Sequence, residues 1–161
     1  MTQLNSLSHY SYQQCGGGYS FCTESGNTYL ISFVEYNLIP EAKNTRLYMF
    51  NIERVDEQNH DNGTEDKVRN TILCILQSFF ENYTDAIVTV CDMTDGLQEA
   101  RYRLFSQWAK QFMPLEIKSV EASFCIDKVR TFATLYYHAC NIDAAVLVKG
   151  FEDLADINFY S

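Results

Sequence analysis

The stretch AIVTVCDMTDGLQEARYRLFSQW, from Ala86 to Trp108, constrains the fold more than any other part of the chain. Its first half is a short apolar run, rich in β-branched residues and bounded by turn formers, which reads as a buried strand. Directly after Asp95-Gly96 the period changes to that of a helix, with Leu97, Ala100, Leu104, Phe105, Trp108 and Phe112 on one face. Pro114 ends that helix. A buried strand that passes straight into an amphipathic helix belongs to a mixed α/β sheet protein.

The flanking segments extend the pattern. Alternation over Tyr19–Thr23 and Thr28–Tyr36, joined by the turn ESGN, predicts a hairpin, and Arg46–Val55 predicts a third strand of an antiparallel meander. Spacings of three and four through Val68, Ile72, Ile75, Leu76, Phe79, Phe80 and Tyr83 predict a helix, capped by Asn62 or Thr64. The last third returns to strand character in LEIKSVEASF, VRTFATLYYHA and AAVLVKG, and FEDLADINFY suggests a short closing helix. The expected order is βββ-α-β-α-βββ with a possible C-terminal helix, an α+β fold with a mostly antiparallel sheet. Residues 1–18 form a polar N-terminal tail and a glycine-rich join in this reading, and residues 19–161 a single domain. The run Gly16–Gly18 leads into a strand, not a helix, so it does not read as a phosphate-cradling loop.

At 161 residues the chain is long enough for one domain with a full core. Its formal net charge of −9 opposes phosphate backbones and anionic membranes. A basic protein partner is compatible with that charge, and nucleic acid and membrane are not expected. The N-terminus shows no signal-peptide pattern, and no apolar run approaches the ~20 residues of a membrane span. The six cysteines include no CxxC pair, which favours reduced thiols and a cytoplasmic location.

Two acids at the mouth of a buried strand raise the question of a site. Asp92 sits where a metal ligand or general base would stand in an open α/β sheet. A nucleophilic-aspartate pattern requires a second Asp two residues on, where Thr94 stands. Calcium-loop alignments place Gln58 or Cys91 at the first ligand position, so they fail too. The structural alternative is a capped turn: Asp95 with Gln98 makes a capping box worth on the order of 1 kcal/mol. Gly96 eases the bend, and Glu99 pairs with Arg103 one turn on. The turn is the stronger reading. The candidate ligand or partner region is therefore Asp92, Asp95, Gly96, Arg101 and Arg103. A second candidate is the acidic surface of Glu53, Asp56, Glu57, Asp61, Glu65 and Asp66. His138 with Cys91, Cys125 or Cys140 would suit thiol chemistry, but no spacing brings them together. Three dispersed histidines make no zinc site, and Trp108 belongs to the core stripe.

The segments CDMTDGLQEARYRLFSQW, EDKVRNTIL and YSFCTESGNTYLISF resemble an uncharacterised family of short bacterial proteins, frequent in Bacteroidota. That resemblance implies a bacterial cytosolic origin and no assigned activity. The order of three antiparallel strands, helix, strand, helix and two strands is similar to the central part of GCN5-related N-acetyltransferases. This second resemblance implies an acetyltransferase-like fold and, as an alternative function, acyl-CoA-dependent N-acyl transfer. Tyr102, Tyr136 or Tyr137 would then be the general acid, with acetyl-CoA as cofactor. The phosphate-binding pattern of those enzymes has no counterpart in RVDEQNHDNGTEDKVR, where Glu53 to Asp66 holds six acids and one base. No other cofactor and no metal is expected. The first expectation is a non-enzymatic binding or protein-interaction module; a phage-defence, toxin–antitoxin or counter-defence role is a further alternative.

Overall fold

The computed structural model describes residues 8–55, 66–92, 96–126 and 129–160; within these, the side chains of residues 92, 96–98, 124–126, 129–130 and 156–160 are left aside. In chain order the elements are β1 (Gln13–Cys15), β2 (Gly18–Cys22), β3 (Thr28–Glu35), β4 (Arg46–Arg54) and α1 (Asp66–Phe79). They continue with β5 (Asp85–Asp92), α2 (Gly96–Phe112), β6 (Ile117–Ile126), β7 (Val129–His138) and α3 (Ala144–Tyr160). The strands form one mixed sheet in the order β1-β2-β3-β4-β5-β7-β6, and only β4 and β5 run parallel. The fold is α+β, and the meander, the two central helices and the β6–β7 hairpin lie where the sequence places them.

Strand alternation divides the core between the two faces. Phe21, Tyr29, Ile31, Phe50, Ile87 and Tyr136 meet α1 through Val68, Ile72, Ile75 and Leu76, and meet α2 through Phe105 and Ala109. On the other face Leu47, Ala86, Val88, Ala133 and Leu135 pack with Ile39, Ala42, Leu147 and Phe151. Trp108 packs against the first of these cores, as its place on the apolar stripe predicts.

Two segments differ from the sequence reading. AAVLVKG is not a strand: it is the first half of α3, continuous with the predicted closing helix. Its apolar positions satisfy both periods, and its start is anchored to a distant segment by Asp143. Asp143 Oδ2 accepts from the backbone N–H of Asn44 at 2.8 Å and from Thr45 Oγ1 at 3.0 Å, and its own carbonyl accepts the first helical bond from Leu147. Residues 8–18 are also part of the fold. Tyr10 is buried, its N–H bonds Thr71 Oγ1 at 2.8 Å, and Asn70 Nδ2 donates to the Ser8 carbonyl at 2.9 Å. The glycine run, expected as a flexible join, is the turn of the β1–β2 hairpin, with Gly16 at φ +57°.

Burial pushes the Asp143 carboxyl up, but the bonds from Asn44 and Thr45 outweigh it and hold the pKa below the ordinary carboxylate value. A depressed folded pKa gives stability that is present above the unfolded pKa and is lost as pH falls through the folded one. Asp143→Asn is expected to cost about 1–2 kcal/mol at neutral pH, because charge-assisted bonds become neutral ones. The difference from the parent should shrink in acid, and urea midpoints measured from neutral pH down to pH 2 check both statements. No helix among the described residues is long and apolar enough to cross a membrane.

Candidate functional site

The parallel pair at the centre of the sheet is incomplete. β4 and β5 pair only from Arg46↔Asp85 to Met49↔Val88. Beyond that point β4 stays with β3, as far as Tyr29↔Arg54, while β5 follows β7, as far as Asp92↔Thr131. The sheet therefore forks, and residues 50–54 and 89–92 no longer serve each other as ladder partners. A cleft of about 380 Å³ occupies the fork, a volume in the range of small-molecule sites. Its lining takes residues of both strand parities: Phe50, Ile52, Arg54 and Thr89 belong to the α2 face, while Asn51, Glu53 and Val90 belong to the other. The cleft thus runs into the sheet itself. Arg101, Tyr102 and Phe105 of α2 cover one side.

Inside the fork one polar group stands out. Thr89 is 6% exposed, yet its hydroxyl has no hydrogen-bond partner. It lies opposite Thr134 of β7, whose hydroxyl bonds the Tyr102 hydroxyl at 2.6 Å and not Thr89. A buried unpaired hydroxyl costs roughly 1–3 kcal/mol, and this one belongs to a residue that lines the cleft. Tyr102 has its pKa raised, chiefly by burial, and so keeps its proton at neutral pH.

The sequence candidates separate in space. Arg101 reaches the fork, with no ion-pair partner among the described residues, whereas Arg103 lies on the other side of α2 and pairs with Glu99. The two are two residues apart, which on a helix puts them on nearly opposite faces. Asp92 ends β5 at the mouth of the fork and Gly96 begins α2; the Asp92 side chain and all of Asp95 lie outside the described residues. So do Asp56, Glu57, Asp61 and Glu65. Of the acidic surface, Glu53 lines the cleft and Asp66 opens α1, where it pairs with Arg69 at 3.2 Å. His138 sits at the far end of β7 from Thr131, the partner of Asp92, a separation of about 23 Å at strand rise. Asp92 and His138 therefore form no common pocket. Cys15, Cys22, Cys74, Cys91 and Cys140 are free thiols. Among the three tyrosines named from the acetyltransferase resemblance, only Tyr102 reaches the fork. Tyr136 is buried beneath α2, and Tyr137 packs on the face that α3 covers. In the sequence Thr89 is one polar residue within a continuous apolar run.

Residues 64–153 match the model of a family described as Family of unknown function (DUF6169). The chain belongs to that family. The match runs from just before α1 into α3, so it takes in the β5 arm of the fork and α2 but not the β4 arm. No curated protein and no solved structure matches the chain. The expected kinship with an uncharacterised family is thereby met, and the acetyltransferase resemblance remains one of element order.

Proposed function

We propose that the protein is a non-enzymatic binding module whose ligand lies in the fork between β4 and β5. The observation that carries this reading is the buried, unpartnered Thr89 hydroxyl in a cleft of ligand size. Diverging strand edges suit an extended chain bearing amides, which can restore ladder-type hydrogen bonds on both sides. A pantetheine-type arm has that character.

For the phosphates of coenzyme A the fork offers Arg101 as its one cation without an ion-pair partner among the described residues. The cations that flank the α1 N-terminus are engaged: Arg54 with Asn27 at 3.3 Å, Lys67 with Glu24 at 3.3 Å, and Arg69 with Asp66. Glu53 and Asp66 add negative charge where phosphates would need the opposite. Acyl-CoA-dependent transfer is the second reading. It is favoured by the position of Tyr102, a hydroxyl in the cleft lining where a proton donor would stand, although burial makes that hydroxyl a weaker acid.

Thermal unfolding with pantetheine, coenzyme A and acetyl-CoA separates the two. A ligand at 100 times its Kd adds roughly 2.7 kcal/mol, a rise of several degrees. Pantetheine is expected to raise the Tm, with coenzyme A giving no larger rise. A much larger rise with acetyl-CoA would put transfer first, and no rise with any of them would remove the fork as a site for this arm. Thr89→Val provides the internal control. It is expected to stabilise the free protein by about 1–2 kcal/mol, because the orphaned hydroxyl disappears, and to lose most of the ligand-induced rise.

A further inference from the structure

At the opposite end of the sheet from the fork lies a separate cavity of about 310 Å³. Its walls are largely apolar, built by Phe80, Met113, Pro114 and Ile117. Tyr83 stacks on His138 with ring centroids 3.9 Å apart, and half of the tyrosine surface remains exposed. The His138 ring is fixed, since its Nδ1 accepts the Cys140 backbone N–H at 2.9 Å.

Acceptors outweigh donors among the polar groups of this cavity, the imidazole of His138 being the exception. Gln77 lines the cavity, and its Oε1 is buried beside it with no hydrogen-bond partner among the described residues. The charged lining residues are Glu81 and Glu116, and no lysine or arginine lines the cavity among the described residues. Neither glutamate has an ion-pair partner among the described residues. An unsatisfied acceptor, two carboxylates at the rim and an open aromatic face all favour a cation that donates hydrogen bonds. The apolar walls favour a hydrophobic body behind it.

We infer that this cavity is a second ligand site, specific for a small organic cation: a primary ammonium on an aromatic or branched apolar body. An anion of the same shape would meet the carboxylates of Glu81 and Glu116, with no lysine or arginine among the described lining residues to compensate. Discrimination between the two therefore comes from the polar groups and not from the shape of the walls.

The test uses the full chain with 2-phenylethylammonium and, as the matched anion, 3-phenylpropionate, each titrated calorimetrically and by thermal shift. The ammonium is expected to bind at least ten times more tightly than the carboxylate. Gln77→Leu should weaken it about tenfold. The double variant Glu81→Gln, Glu116→Gln keeps the shape of the rim and should weaken it several-fold while flattening its salt dependence. Unliganded Tm values of the variants show that each is folded. Equal binding of cation and anion overturns the inference, as does no binding of the ammonium at tens of millimolar. Undiminished affinity in Gln77→Leu combined with the double variant overturns it too. Since the fork lies at the other end of β5, pantetheine binding should be unchanged in these variants, and the two proposals stand or fall separately.

Discussion

Replacing Leu147 with alanine is expected to lower stability by about 3 kcal/mol, within the 2–5 kcal/mol found for fully buried leucines. For a chain of this length that corresponds to a fall in Tm of roughly 6–12 °C. Leu147 has no exposed surface and stands at the centre of the core between α3 and the sheet, against residues such as Leu47, Val88 and Leu135. Its helical neighbours at i+3, i+4 and i+7 complete the face. Gly150 lies so close to Ile39 that a Cβ there would come within 2.5 Å of Ile39 Cγ2, Phe151 is buried, and Leu154 packs against the same core. Close seating of this kind leaves little room for collapse around a truncated side chain, which is why the cost falls above the minimum. Val146→Ala, one residue away, is expected to cost less than about 1 kcal/mol, because Val146 is 38% exposed. Chemical denaturation of the two variants measures how far the burial of Leu147 sets it apart from its exposed neighbour.

The segment AAVLVKG shows where sequence reading loses its grip. β5 and α2 were legible because two periods meet at Asp95-Gly96 and each is long enough to identify itself. The first half of α3 offers a β-branched run that suits either period. Its start is anchored by Asp143 to Asn44 and Thr45, about a hundred positions earlier in the chain. β1 is three exposed residues, Gln13–Cys15, and three residues carry no period at all. The fork is a matter of register. β4 leaves β5 after Met49↔Val88 while β5 keeps its pairing with β7, a matter between strands and not within any one of them. Thr89 gains its meaning only there. Within IVTVC it is an ordinary strand residue, and the fork turns it into an orphaned hydroxyl at a cleft wall. The acids at Asp92 and Asp95 drew attention because charge is conspicuous in an apolar stretch. The group with the stronger claim to a ligand is uncharged.

Gly18→Ala is expected to cost about 3 kcal/mol, the upper part of the range for overpacking, whereas Gly17→Ala should stay within about 1 kcal/mol. The two glycines are adjacent, and the contrast between them comes from β3. A Cβ on Gly18 would sit 1.8 Å from the Ile31 carbonyl oxygen and 2.9 Å from Ser32 Cα. Those are backbone atoms held in the sheet by the ladder to β4, so they have no rotamer to escape into. A Cβ on Gly17 would meet the Phe33 carbonyl oxygen at 3.5 Å, an ordinary contact. Gly18 pairs with Ser32 and follows directly on the hairpin turn, so displacing it moves β1 and β2 together. Phe21 stacks on Tyr29 at 5.2 Å across that same strand pair, and Tyr10 stacks on Phe21 at 6.0 Å. Loss of the β2–β3 register therefore reaches the core under α1 as well as the edge of the sheet. Tm measurements on the two variants distinguish a structural turn, which discriminates sharply between Gly17 and Gly18, from a flexible join. In a join, alanine at either position would slightly stabilise the chain by restricting its unfolded state.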